Sequence, residues 1–268
     1  MRLSMALSAA LAAVVLGAAL LLGPGATALA AVGVIAVIAW GWPRQMGAPA
    51  RLSLSIVLLC AGVLSSVLML LWPTPGEGPR TALRLLDPLA VVLAWGVIAA
   101  FVVQLVRGTG RPLRLESTVA TMGGVLACGM TACWIPLARY AETPRAEGLG
   151  ATLVISLVAV SLLGLTPWMQ GRPRVLALAM VPACALAAWL VSSLLGADPA
   201  AQTLHALAAA AVAGLVSLTA AAAPSSRPRP EDQPVGTTLR PRRAGYALAM
   251  APVGAAGVIG HVLLALLG

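Results

Sequence analysis

The sequence contains little charge. No lysine occurs in its 268 residues, all 17 basic residues are arginine, and there are only eight acids and two histidines. A lysine nucleophile or base is therefore excluded. Charged residues make up 9% of the chain and hydrophobic residues 60%, which leaves too little polar surface to cover a soluble core. Lipid is therefore the expected solvent for most of the chain.

Metal-binding side chains are also scarce. Cys60, Cys128, Cys133 and Cys184 all fall inside apolar segments, and none forms a Cys-x-x-Cys motif or neighbours a histidine. We interpret them as reduced packing residues and predict no metal site and no cofactor. The net charge of +9 is scattered over loops without interleaved aromatics, so we expect no nucleic-acid partner.

Arginine, proline and glycine separate nine apolar stretches, each close to the roughly 20 residues that a membrane crossing needs. The sequence therefore predicts an all-α, polytopic integral membrane protein of about nine transmembrane helices, forming a single domain over 1–268. The shortest separator, Gly23-Pro24-Gly25, is predicted to be a tight hairpin at the outer surface; a kink is the alternative. The predicted helices span 4–22, 26–42, 52–72, 85–106, 117–138, 150–169, 175–196, 201–223 and 244–267.

Small residues and prolines predict how these helices pack. Five prolines are expected to kink their helices: Pro88, Pro136, Pro167, Pro182 and Pro252. Close approach to neighbouring helices is expected at two sets of small residues, Gly123, Gly124, Ala127 and Gly129 in the fifth helix and Gly254, Gly257 and Gly260 in the ninth.

The arginines predict the orientation, because short cytoplasmic loops hold the excess of positive charge. With the N-terminus in the cytoplasm and the C-terminus outside, only Arg80, Arg84, Arg139 and Arg145 fall outside, in loops shared with acids. The Pro- and Arg-rich loop 224–243 is then cytoplasmic. The thirteen arginines that fall inside are Arg2, Arg44, Arg51, Arg107, Arg111, Arg114, Arg172, Arg174, Arg227, Arg229, Arg240, Arg242 and Arg243.

A cleavable signal peptide is the alternative for the N-terminus, since Arg2, an apolar run and Ala28-Leu29-Ala30 fit its pattern. Cleavage after Ala30 would leave residues 31–42, which are too short to cross a bilayer. We therefore predict an uncleaved first helix in a cell membrane. The lack of lysine and the richness in Ala, Gly and Pro favour a bacterial source with a high-GC genome.

Ionisable groups inside the membrane are the default candidates for function, because hydrocarbon disfavours them unless they are paired or hydrated. No carboxylate maps to the middle of a predicted helix. His205 and His261 lie about five and about seven residues inside the outer ends of helices eight and nine, at similar depth. They are predicted either to form a polar pair in the outer leaflet or to make interhelical hydrogen bonds that only join helices.

Two groups of arginines are candidates for lipid contact. Arg172 and Arg174 lie between helices six and seven, and Arg240, Arg242 and Arg243 precede helix nine. Positive-inside anchoring explains both groups, and contact with a lipid phosphate is the functional alternative. The expected partners are membrane lipids with anionic headgroups on the cytoplasmic side, with a homo- or hetero-oligomer also possible.

Three segments resemble the phosphatidate cytidylyltransferase (CDP-diacylglycerol synthase) family, which is polytopic and helical with a cytoplasm-facing active site. They are ESTVATMGGVLACGMTACWIPLARY at 116–140, Gly171-Arg172 after helix six, and VGTTLRPRRAGYALAMAPVG at 235–254. In the last segment, the frame of the family's closing motif is kept by Gly236, Thr237, Pro241 and Gly245.

The residues that carry this family's chemistry are replaced. Arg243 stands in place of the motif's histidine, Leu248 and Ala251 in place of its carboxylates, and Gly164 in place of an acid near the end of helix six. Cytidylyl transfer needs divalent metal held by carboxylates. The resemblance therefore implies a catalytically inactive relative that binds lipid or modulates a partner. A small permease or lipid transporter, and a structural subunit of an envelope-building complex, are the alternatives.

Overall fold

The structure is a computed structural model that describes residues 3–46, 51–73, 84–106, 114–140, 149–163, 173–194, 196–222 and 242–267. All regular secondary structure in these ranges is helical. In chain order the helices are α1 (Leu3–Leu21), α2 (Pro24–Gln45), α3 (Arg51–Leu71), α4 (Asp87–Val106), α5 (Arg114–Ala132), α6 (Trp134–Tyr140), α7 (Leu149–Leu163), α8 (Pro173–Leu194), α9 (Pro199–Ala222) and α10 (Arg242–Leu267).

Five stretches in the described residues are long and apolar enough to cross a membrane, and three shorter apolar helices accompany them. The five stretches are Pro24–Gln45, Arg51–Leu71, Ser117–Tyr140, Pro199–Ser217 and Gly245–Leu263. Many large apolar side chains point outward from the bundle, among them Leu21, Ile98, Leu178 and Leu194. This surface is consistent with a multi-pass membrane protein.

The separator between the first two helices is a turn. Gly23 adopts a φ of 103°, which only glycine reaches without strain, and its carbonyl accepts the Thr27 hydroxyl at 2.9 Å. Pro24 then opens α2, where its missing N–H removes no helical hydrogen bond. The chain reverses here, as the hairpin prediction required.

The fifth predicted helix is interrupted. It consists of α5 and the short α6, which meet at a turn at Cys133. Pro136 follows three residues later, and because proline lacks an N–H it cannot donate to the carbonyl one turn earlier. The kink predicted at Pro136 is thus present as a break just before the proline, whereas Pro182 and Pro252 lie inside α8 and α10, which continue as helices past them.

Contacts between helices give the relative directions of α2, α3 and α5. The Trp42 indole at the end of α2 donates to the Ala120 carbonyl near the start of α5 at 2.7 Å. Further along, Gly62 of α3 packs against both Ile35 and Cys128. Helices α2 and α5 are therefore antiparallel, with α3 beside both.

The last helix runs in the same direction as α5 and α6. Its glycines meet successive turns of the interrupted helix, and a Cβ at Gly257 would lie 2.6 Å from Cδ1 of Trp134. The predicted close approach at these small residues is confirmed. The contacts in register are Gly254 with Thr131, Gly257 with Trp134, and Gly260 with Leu137.

Further contacts place the remaining neighbours. Gly245 at the start of α10 packs against Met5 at the start of α1, so these two helices begin at the same end of the bundle. Helix α4 is antiparallel to α5, because Leu89 packs on Gly129. The interior of the bundle includes Trp134, whose side chain is fully buried and donates its indole N–H to the Val253 carbonyl at 3.1 Å.

Candidate functional site

The turn between α8 and α9 positions the clearest candidate site. Helix α8 ends in a Schellman motif, with Ala197 N donating to the Ser192 carbonyl at 3.0 Å and Gly196 N to the Ser193 carbonyl at 3.1 Å. Gly196 has a φ of 75°, the left-handed conformation that this motif needs. Asp198 then caps α9 by accepting the Ala201 N–H at 3.1 Å. These bonds fix the register of the hairpin.

That register brings Ser192 against His205. Both side chains are buried, and the serine Oγ lies 2.5 Å from Nδ1 of the histidine. The same Oγ lies 2.7 Å from the Ala188 carbonyl. Because the hydroxyl carries one proton, and a carbonyl can only accept, both contacts are satisfied when the hydroxyl donates to Ala188 and the histidine Nδ1–H donates to the hydroxyl.

This arrangement leaves Nε2 as the acceptor nitrogen of a neutral His205. The Nε2 atom is buried and has no hydrogen-bond partner among the residues that the structure describes. Ser192 is not arranged as an activated nucleophile, because its proton is directed to a backbone carbonyl and its side chain is inaccessible. The pair joins two antiparallel helices through a hydrogen bond, which is the simpler of the two predicted roles for His205.

His261 has a different environment. It is fully buried in α10, and its ring meets the ring of Tyr140 edge-on, with centroids 6.2 Å apart and planes at 82°. His205 lies six residues after the first residue of α9, and His261 six residues before the last described residue of α10; a common depth in the membrane stays a prediction. His205 thus contacts Ser192, and His261 contacts Tyr140. A direct pairing of His205 with His261 stays a prediction.

The predicted lipid-contact arginines lie partly in the described chain. Arg174 is the second residue of α8, and Arg242 and Arg243 are the first two of α10, while their side chains lie outside the described part. Arg172 and Arg240 fall outside the described residues, as does most of the loop 224–243. Their contact with lipid stays a prediction.

Buried hydroxyl groups are bonded within their own helices. Ser66, Thr121, Thr131, Ser156 and Ser217 each donate to the carbonyl four residues earlier, at 2.6–2.9 Å. This back-bonding satisfies a hydroxyl group without any partner helix. These side chains therefore need no ligand to be stable in an apolar interior.

Groups that bind metals or form disulfides are not assembled. All four cysteines are free, with Cys60 exposed and Cys128, Cys133 and Cys184 buried. No cluster of three or more His, Cys, Asp or Glu occurs among the residues that the structure describes.

Two arginine side chains make contacts that the sequence analysis did not predict. Arg139 Nη1 donates to the Met69 carbonyl in the last turn of α3 at 2.8 Å, where a cation is favoured by the helix dipole. Arg44 stacks on Trp40, with its guanidinium carbon 4.8 Å from the ring centroid. The Arg44 contact follows the i, i+4 spacing and was visible in the sequence.

Comparisons of the chain with protein-family models, curated proteins and solved structures found no match.

Proposed function

We propose that this chain is a non-catalytic multi-pass protein of a bacterial cell membrane, whose arginine-rich cytoplasmic end binds anionic lipid headgroups. It crosses the membrane nine times, with the N-terminus inside and the C-terminus outside. The proposal rests mainly on one observation: the contacts between helices place several arginines at the same end of the bundle.

That end is defined by helices of known relative direction. Helices α1, α3, α5 and α10 begin there and α2 ends there, which follows from the contacts of Trp42 with Ala120, Gly62 with Cys128, and Gly245 with Met5. The arginines on these helix ends are Arg44, Arg51, Arg114, Arg242 and Arg243.

Among the described residues, the opposite end carries fewer arginines, while each end holds an acid: Glu116 in the first turn of α5, and Asp87 at the start of α4. Arg139 lies at the end of α6, and Arg84 and Asp87 lie at the start of α4, which is antiparallel to α5. The asymmetry has the sign that the positive-inside rule gives to a cytoplasmic face. Cationic side chains next to the membrane surface attract anionic lipid by about 1 kcal/mol each.

The number of crossings is supported by the alternating directions. Helices α1 to α4 alternate, and α5 with α6 forms one apolar stretch, Ser117–Tyr140, of 24 residues. Helix α10 runs parallel to that stretch, as the fifth and ninth crossings of a nine-helix protein must. We also propose that the chain is a relative of the CDP-diacylglycerol synthases that has lost their catalytic activity. At the positions of the family's closing motif, this chain has Arg243 in place of a histidine and Leu248 and Ala251 in place of carboxylates.

Lipid binding is tested with the full chain in nanodiscs of phosphatidylcholine and phosphatidylglycerol, with bound lipid measured by native mass spectrometry. We expect the protein to retain phosphatidylglycerol preferentially. Replacing Arg240, Arg242 and Arg243 together by Gln should weaken this retention by up to about a hundredfold, from about 1 kcal/mol for each charge. The matched control replaces three arginines predicted outside, Arg80, Arg84 and Arg145, by Gln.

Equal losses in the two triple variants would contradict a lipid site at the cytoplasmic end. Lost chemistry is tested separately by supplying CTP, phosphatidate and Mg²⁺ to the purified protein. We expect no CDP-diacylglycerol, and its formation would show that an active site is present.

A further inference from the structure

The end of α2 holds an arginine whose position is set by its own helix. Arg44 Nη1 donates to the Trp40 carbonyl at 2.8 Å, and the guanidinium carbon lies 4.8 Å from the centroid of the Trp40 ring. Both contacts go to one residue, one turn earlier. The plane of the guanidinium is therefore fixed before any ligand arrives, which reduces the entropy lost on binding.

Most of the hydrogen-bonding capacity of Arg44 is unused. A guanidinium has five N–H donors, and Nη1 makes the single hydrogen bond described for this side chain. Neither of the carboxylates whose side chains the structure describes, Asp87 and Asp198, pairs with it. Along the chain, the segment 44–51 carries Arg44 and Arg51 and no acid. The sequence of this segment therefore supplies no counter-ion for its positive charge.

The neighbouring tryptophans place the pair at the surface of the bundle. The Trp42 indole is held inward, by its bond to Ala120 and by packing against Gly124, where an added Cβ would lie 2.8 Å from the indole Cδ1. Trp40 points the other way, and 47% of its surface is exposed. Tryptophan rings are enriched at the headgroup level of membranes. An exposed tryptophan beside an arginine at the end of an apolar helix therefore favours a lipid ligand over a soluble anion.

We propose that Arg44 and Trp40 form a headgroup clamp, a site that binds the phosphodiester of an anionic lipid. The remaining guanidinium N–H groups donate to two phosphate oxygens, while the indole lies along the glycerol and upper acyl chain. This inference rests on the proposed function and adds a specific site to it. The competing role for Arg44 is capping the C-terminus of α2, which the helix dipole favours and which needs no lipid.

The test titrates phosphatidylglycerol into phosphatidylcholine nanodiscs that hold the full chain, with bound lipid counted by native mass spectrometry. Arg44→Lys keeps the charge but removes the planar fork, which a lysine cannot replace at a bidentate site. We expect it to weaken phosphatidylglycerol binding at least threefold. Arg84→Lys is the matched control, since Arg84 is exposed just before α4 at the opposite end of the bundle and stacks on no ring in the described chain, and we expect it to bind as the unmodified chain does.

A second pair of variants, at Trp40, keeps the test informative if Arg44→Lys does not fold. Trp40→Leu removes the stacking surface and should weaken binding as Arg44→Lys does, while Trp40→Phe keeps a ring and should restore much of it. Unchanged binding in Arg44→Lys beside a loss in Arg44→Gln would show generic attraction by charge and overturn the clamp. Competition by soluble glycerol phosphate at equal potency would also overturn it in favour of a free-phosphate site. Absence of any preference for phosphatidylglycerol in the unmodified chain would instead overturn the proposed function.

Discussion

Replacing Gly257 by Ala tests how closely α10 packs on the interrupted helix. A Cβ at this position would lie 2.6 Å from Cδ1 and 2.8 Å from the backbone N of Trp134. Carbon atoms in contact prefer about 3.5–4.0 Å, so α10 or the indole must shift by about 1 Å. Trp134 has little room to move, because it is fully buried and bonded to the Val253 carbonyl.

We expect Gly257→Ala to lower the free energy of unfolding by about 2–4 kcal/mol. Overpacking a filled interior costs about 1–3 kcal/mol, and weakening a buried hydrogen bond adds about 1 kcal/mol. The control is Gly33→Ala in α2, where a Cβ would meet nothing within 4 Å. It should be neutral or stabilise by at most about 1 kcal/mol, through helix propensity.

The assay is reversible unfolding of the full chain in bicelles, with thermal melting in detergent as a second measure. The two alanine variants add the same methyl group to a helical glycine, so the difference between them isolates the contact with Trp134. Equal stability of Gly257→Ala and Gly33→Ala would refute the close packing of α10 against α6.

Two further predictions concern buried hydrogen bonds. Ser192→Ala should destabilise the protein by about 1 kcal/mol. A double-mutant cycle with His205→Leu should give a coupling near the average of about 0.6 kcal/mol for interhelical hydrogen bonds in membranes, and at most about 1.7 kcal/mol; zero coupling would contradict the bond. Nitrogen NMR of labelled histidine should show the His205 proton on Nδ1, and a proton on Nε2 alone would reverse the assigned tautomer. Trp134→Phe should cost about 1 kcal/mol by leaving the Val253 carbonyl without its donor, while the same change at the exposed Trp189 should have little effect; equal losses would argue against this bond.

Helix positions and close contacts could be predicted from the sequence because apolar runs and small residues determine them locally. The helix starts and ends agree with the predicted stretches within a few residues where the structure describes them, and the glycines of α10 pack against a neighbour as expected. The break at Cys133 was only partly foreseen, since Pro136 predicts a disturbance but not the residue at which the chain turns.

The histidine contacts were not predicted, because they depend on helix rotation and on the register between neighbouring helices. Depth alone suggested His205 opposite His261, whereas the Schellman turn at Gly196 and the cap at Asp198 set a register that puts Ser192 against His205. A hairpin centred on Gly196 to Asp198 would have pointed to Ser192 from sequence alone. Tyr140 lies against His261 only because α10 runs parallel to α6, which no local pattern contains.

Reporter fusions most directly test the proposed nine-crossing bundle with its arginine-rich end in the cytoplasm. Alkaline phosphatase is active only outside the cytoplasm, and green fluorescent protein exported through the general secretion pathway is dark. Fused after Gly268, the phosphatase should be active and the fluorescent protein dark; placed within 224–243, both results should reverse. A fluorescent C-terminal fusion together with a dark one in that loop would invert the bundle and contradict the account.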